Sequence, residues 1–367
     1  MTYSAVVHEG VNMGSSTLAG HGAEAPVRRQ SSNPALTLSR VALAAVAVVF
    51  LLLGGLGVRL SLSTQAWIYL FGMVALNLPH GGYEHFSNLR RRDLDFRWRY
   101  LALYVGMVAA FVGLFFLAPV AGLALAISVA VAKGGLGGVS VLDATTGTDH
   151  LRTRPQRLLA AAVRGGAVMA VPIFAWPGVF QTFSHYMVGI FEEGALLAVA
   201  PYFDVTRWLI GGAWALAAVV HVGLGYVRGG GRGWLFDAGE TALLGAYFYL
   251  VPVVVAVGLY FPLWYSTRQV GRSMGIDAER GTGGPDLLDF DRPEHVTLAA
   301  GGLLLAGAIL TFLIAGVLFR VAPHPLGGAP TVIGAVAFWS VFVSIIALPH
   351  VVVGSLFDRD QGIWFVP

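Results

Sequence analysis

The string NLPHGGYEHF places Asn77, His80, Glu84 and His85 toward the end of an apolar stretch. His80 and Glu84 stand four apart, so on a helix they share a face. An imidazole one turn from a carboxylate suits a metal ligand with its neighbour, or an imidazole oriented by a second group. A helix end meeting lipid headgroups suits the same residues, and the string alone leaves these readings open. Lys133 lies in VAVAKGGLGGVSVL. It is about nine residues from the helix end, ~14 Å of rise. That is a long reach for a snorkelling ammonium, so a polar cavity or a carboxylate partner is expected. Gly134, Gly135, Gly137 and Gly138 surround it in sequence. They suit close helix packing, or a slot for a large ligand.

Other polar residues call for less. His221, in AVVHVGLGYV, reads as a satisfied structural histidine. His350, in LPHVVV, is a weaker site candidate than His80. Asp237 and Glu240 begin an apolar segment, where the helix dipole favours carboxylates. Arg164 has no evident partner in the sequence. DHLRTRPQR is a basic juxtamembrane string suited to anionic lipid heads. There is no phosphate-loop, zinc-protease or nucleophile-elbow motif. With no cysteine, disulfides and thiolate chemistry are excluded.

The elements that must position these residues are membrane helices. Of 367 residues, 56% are hydrophobic and only 12% charged, against about 25% charged in soluble domains. The net charge of +3 gives no reason to expect nucleic acid. A spanning helix needs about 20 apolar residues. Candidate segments run from about Val41 to Leu60, Trp67 to His85, Tyr100 to Leu117, Val120 to Leu142, Leu158 to Trp176 and Trp208 to Val227. The stretch from Trp234 to Tyr265 is too long for one helix and is expected to break at Pro252. Segments from about Val296 to Phe319 and Thr331 to Val353 complete the set. His185–Phe203 carries Glu192 and Glu193 and is read as interfacial or re-entrant. The expectation is an all-α, multi-pass bundle of about ten transmembrane helices.

Arginines cluster after the even-numbered helices, at Arg90–Arg92, Arg152–Arg157, Arg228–Arg232 and Arg268–Arg272. By the positive-inside rule both termini face the cytoplasm. Residues 1–36 read as a disordered polar tail. Residues 37–367 read as one membrane domain, with a cytoplasmic loop at about 273–294.

Several strings together resemble the Brp/Blh family of bacterioopsin-related membrane proteins, which includes β-carotene 15,15′-dioxygenases. A Pro-His-Gly-x-x-Asp motif of that family is matched by Pro79 to Glu84, with Glu for Asp. A Tyr-Phe-x-x-Trp-His-Ser-x-Arg-His motif is matched by YFPLWYSTRQ, Tyr260 to Gln269. LPHVVVGSLFDRDQGIW and DHLRTRPQRLLAAAVRGG are also family-like, so the resemblance covers about residues 67–364. It implies cleavage of the central double bond of β-carotene to two retinals, a non-haem Fe(II) held by histidines, and location in the cell membrane. It also implies a link to retinal-binding opsins.

Carried over residue by residue, the resemblance makes His80 a metal ligand. Lys133 occupies the second ligand position, and Tyr265 and Gln269 the third and fourth. Three of four expected imidazoles are thus replaced. Glu84, His85, Tyr260, Trp264 and Arg268 complete the expected pocket. Convergence of His80, Glu84, Lys133, Tyr265 and Gln269 in one cavity is expected, with Lys133 able to pair with Glu84. Three functions stay open. One is a divergent member that binds carotenoid or retinal with weak or no dioxygenase activity. Another is an active iron dioxygenase using His80 and non-standard ligands. The third is a transporter.

Overall fold

The computed structural model describes residues 33–77, 94–269, 271–272 and 293–357. Among them the chain forms eleven α-helices and no strand. They are α1 Pro34–Gly55, α2 Leu62–Leu70, α3 Leu94–Leu117, α4 Pro119–Ala144, α5 Arg154–Ala175, α6 Pro177–Gly189, α7 Phe203–Val227, α8 Gly231–Leu250, α9 Val253–Tyr260, α10 Pro293–Val321 and α11 Thr331–Phe357. The chain is all-α, as its apolar segments require.

Seven of these helices are long and apolar enough to cross a bilayer: α1, α3, α4, α5, α7, α10 and α11. The other three expected spans are not among these seven. The expected Trp67–His85 segment is described only as far as Asn77, just past the helical stretch Leu62–Leu76. Helix α8 carries Arg232, Asp237 and Glu240 within its 20 residues. Helix α9 is eight residues before its geometry changes. The segment His185–Phe203 holds the end of α6 and two short 3₁₀ turns. Helix α1 starts at Pro34, inside the stretch expected to be tail, because Asn33 accepts the Ala35 N–H at 3.0 Å and caps it.

Proline sets several boundaries. Helix α8 ends at Leu250, Val251 is extended, and α9 starts after Pro252. Pro252 therefore breaks the long apolar stretch as expected. The Tyr247 hydroxyl ties the two pieces by donating to the Ala256 carbonyl at 2.9 Å. Two π-helical turns follow short α-helices: Phe71–Leu76 after α2 and Phe261–Ser266 after α9. Pro262 lies in the second and lacks the N–H that an α-turn would use. Such turns are rare and recur at functional sites.

Close backbone packing brings these two turns together. A Cβ on Gly72 would collide with the Gly258 carbonyl, and one on Gly258 would lie 2.5 Å from Tyr69 Cα. Only hydrogen at both positions permits the contact. Helices α4 and α5 meet in the same way. A Cβ on Gly135 would strike the Ala161 carbonyl, and one on Gly165 the Val131 carbonyl. The core lies in two parts. One joins α2, α3, α4, α6 and α11 around Tyr69, Phe115, Phe183 and Phe342. The other joins α1, α5, α8 and α9 around Leu43, Tyr247, Phe248 and Tyr260. Leucines such as Leu209, Leu216, Leu305 and Leu313 point outward, as helices in lipid require.

Candidate ligand site

Helix α4 and the π-turn after α9 build the polar end of the site. Lys133 Nζ lies 5.6 Å from the centroid of the Tyr265 ring. A Cβ on Gly137 would lie 2.9 Å from Gln269 Nε2 and 3.5 Å from Tyr265 Cε2. The absence of a side chain at Gly137 therefore makes the space that Tyr265 and Gln269 occupy. A Cβ on Gly134 would lie 3.7 Å from the Tyr260 hydroxyl, an ordinary contact distance. Lys133, Tyr260, Tyr265 and Gln269 thus gather along one side of α4. Of the two readings of these glycines, close packing applies: Gly135 meets α5, and Gly137 admits the side chains of Tyr265 and Gln269.

His80, Glu84 and His85 lie outside the described residues, as do His8 and His21. Asn77 is the described residue that leads into their string. Its Oδ1 accepts the Ser266 hydroxyl at 2.8 Å. The first motif string is thereby tied to the second at a residue next to Tyr265.

An apolar cavity lies in the same bundle, lined by residues of α4 and the π-turn after α9 but not by Lys133, Tyr265 or Gln269. Its walls include Tyr69, Met73, Ala126, Ala130, Val257 and Phe261. Its volume is about 150 Å³. Ala130 lies one turn before Lys133 on α4, and Phe261 one turn before Tyr265. The Phe261 and Tyr265 rings stand 6.2 Å apart. Polar atoms in the wall are few, and the Tyr69 hydroxyl and Ser340 Oγ satisfy one another at 2.6 Å.

Behind the site lies a buried charge network. Arg164 donates to Asp237 Oδ1 at 2.5 Å and to Glu240 Oε2. Arg268 grips Glu240 with two parallel bonds of 2.8 and 2.9 Å. Arg40 Nε adds a third guanidinium to Glu240 at 2.8 Å. His150 and His221 each set Nε2 against Asp237 Oδ2, at 2.9 and 3.0 Å. His221 is therefore a satisfied histidine, as its sequence suggested. Asp237 and Glu240 do more than favour a helix end. They lie inside α8 and hold α1, α5 and the helical segment after α9. Arg164, which showed no partner in sequence, has two. Gly138 leaves room for it, since a Cβ there would lie 3.0 Å from Arg164 Nε.

The network reaches the site through Arg268. Its guanidinium lies 4.3 Å from the Trp264 ring centroid, and its neighbour in sequence is Gln269. Trp264 and Arg268, expected as pocket residues, thus support the polar end from behind. Sequence reading noticed the intramembrane charges singly. It missed their pairing, and it missed most of the cavity wall, whose residues look like any apolar helix surface.

Comparison with known proteins settles what kind of chain this is. A family model described as beta-carotene 15,15′-dioxygenase matches residues 71–358. The chain belongs to the β-carotene 15,15′-dioxygenase family. In two strains of Halobacterium salinarum, a protein named probable beta-carotene 15,15′-dioxygenase Brp is 56% identical over 338 residues. That match covers 90% of this chain and 94% of the relative. A second H. salinarum protein, named probable beta-carotene 15,15′-dioxygenase Blh, is 29% identical over 367 residues, covering 96% of this chain and all of that one. No solved structure matches. The family match spans both motif strings and includes Lys133, Tyr260, Tyr265 and Gln269.

Iron is the cofactor the family resemblance implies. The side chains gathered here are an amine, a phenol and a carboxamide. Ferrous iron in an oxygenase is suited by neutral imidazoles with open positions for O₂. Among the described residues no group of three His, Asp or Glu is placed to hold a metal. The described part of this site does not fit a histidine-held iron.

Proposed function

We propose that this membrane protein binds a carotenoid, or the retinal derived from it, in the apolar cavity, and that its own dioxygenase activity is weak or nil. The observation that carries this reading is an apolar cavity whose lining residues Ala130 and Phe261 stand one turn before Lys133 and Tyr265, with Gln269 beside them. The cavity suits an apolar polyene, while the donors gathered near it do not suit ferrous iron. A lysine ammonium repels a metal cation, a carboxamide is a weak donor, and a phenolate favours ferric iron. The names of the relatives support the class of ligand. The place of action is the cell membrane, where β-carotene dissolves. The role is then to hold or deliver pigment in the making of a retinal protein.

The test is expression in cells that make β-carotene, with retinal and protein-bound iron measured together. The expected result is co-purified carotenoid or retinal, no stoichiometric iron, and retinal near the background of the host. Robust retinal formation that disappears on His80→Ala overturns the reading and makes the chain an active dioxygenase. Substrate uptake into vesicles, without pigment binding, would make it a transporter.

A further inference from the structure

Among the described residues that line the apolar cavity, three carry a hydroxyl: Tyr69 on α2, and Ser340 and Ser344 one turn apart on α11. The other lining side chains are alkyl, thioether or phenyl groups. A hydroxyl has one proton to give and two lone pairs to receive with. Ser340 Oγ donates to the Val336 carbonyl at 2.7 Å, and Ser344 Oγ to the Ser340 carbonyl at 2.8 Å. Both are the bonds that serines make back to the preceding turn of a helix. Tyr69 Oη stands 2.6 Å from Ser340 Oγ. With the Ser340 proton already placed on Val336, Tyr69 is the donor of that bond. All three protons are thus engaged within the wall. Among the described residues none donates to Tyr69 Oη or Ser344 Oγ, so both keep lone pairs. The wall is set to receive a hydrogen bond, with no hydroxyl proton left to give one. The cavity's volume of about 150 Å³ has room for a single ring or a chain end.

We propose that the cavity selects a polyene whose inserted end carries a hydroxyl over one whose end carries a carbonyl. The proposal deepens the binding function above and rests on it. An alcohol donates to Tyr69 Oη or Ser344 Oγ, which adds one hydrogen bond and disturbs none. A carbonyl can only accept. It gains a bond from Tyr69 only if the Ser340 proton turns from Val336 to Tyr69, so one bond replaces another. A site built to match a substrate hydroxyl discriminates against the analogue that lacks it. Ser340 is then a positioning residue: by accepting from Tyr69 it fixes where the phenol proton points. The same end chemistry has two sources, the ring hydroxyl of an oxygenated carotenoid and the chain-end hydroxyl of retinol.

The test uses the full chain in detergent with two pairs of probes. Retinol is set against all-trans-retinal, and zeaxanthin, with hydroxylated rings, against canthaxanthin, with ketone rings. Tryptophan quenching reads occupancy. The expected result is tighter binding of the alcohol in at least one pair, by about fivefold or more. A preference in the first pair alone assigns the site to a chain-end hydroxyl, and in the second alone to a ring hydroxyl. Ser340→Ala frees the Tyr69 proton for a carbonyl, so the alcohol-to-carbonyl ratio of that pair should fall to about one. The ratio cancels any effect of the added space. Ser128→Ala removes a bond of the same kind, to the Ala124 carbonyl, at an exposed position of α4, and should leave the ratio unchanged. A preference that survives Ser340→Ala overturns the proposal. Equal binding within both pairs overturns it and leaves the cavity function standing. Quenching by none of the four overturns both.

Discussion

Glu240 shows how much one residue carries inside this bundle. It accepts from Arg40, Arg164 and Arg268 together, while Asp237 takes Arg164 and two imidazoles. Removing one partner of a buried ion pair leaves the others uncompensated, which costs about 3–5 kcal/mol. Glu240→Gln should therefore lower the unfolding midpoint in detergent steeply. Asp204→Asn, at an exposed pair of 3.9 Å with Arg207, should leave it unchanged. The donor set of Lys133, Tyr265 and Gln269 supports a second expectation. Lys133→His, Tyr265→His and Gln269→His combined should increase bound iron at least tenfold, and each alone should do little. Bound iron per mole of protein checks this; no increase in the triple variant would mean that these positions do not share a metal-sized space. The types of these residues were legible in sequence, because charge inside an apolar run stands out. Their partners were not. Arg164 meets Asp237 and Glu240 across 73 and 76 residues, and no local spacing encodes that.

At the scale of elements, what was legible followed from apolar length and from proline. Pro252 marked its break because its ring leaves no room for a continuous helix. The π-turns were not legible. Their sequences, FGMVAL and FPLWYS, satisfy the same apolar pattern as an α-helix, and the close approach of Gly72 to Gly258 beside them is tertiary. Helix α6 was hidden for a related reason: it follows α5 after a single residue, Trp176, with Pro177 opening the new helix. The seam between α4 and α5 gives a prediction at this scale. Gly165→Val places a side chain on the Val131 carbonyl and the Gly135 amide. The helices must separate, with a loss of about 1–3 kcal/mol typical of overpacking and with displacement of Lys133 and Arg164. Reduced thermal stability should coincide with loss of retinol quenching. Gly212→Ala, where nothing lies within 4 Å, should change neither; an equal loss in both variants would mean that the α4–α5 seam is not responsible.

At the scale of the molecule, the bilayer imposes two demands: apolar side chains outward, and every intramembrane charge turned inward to a partner. The outward leucines of α7 and α10 and the inward network of α1, α5 and α8 meet them together. The clustering of arginines predicts which way the bundle sits, with both termini cytoplasmic. Reporter fusions at the two ends should both be active only in the cytoplasm. The cavity gives a further prediction. Ala130 is small, lines the wall and stands a turn from Lys133. Ala130→Phe adds a ring to a space that the ligand needs, while the fold gains an apolar side chain in an apolar setting. Binding of retinol should fall at least tenfold with little change in the unfolding midpoint. Leu136→Phe, on the same helix but facing outward at 52% exposure, should bind as the unmodified protein does. If Ala130→Phe binds retinol normally, the ligand lies elsewhere in the bundle. If both variants lose binding, α4 is sensitive to bulk in general and the cavity has no special claim.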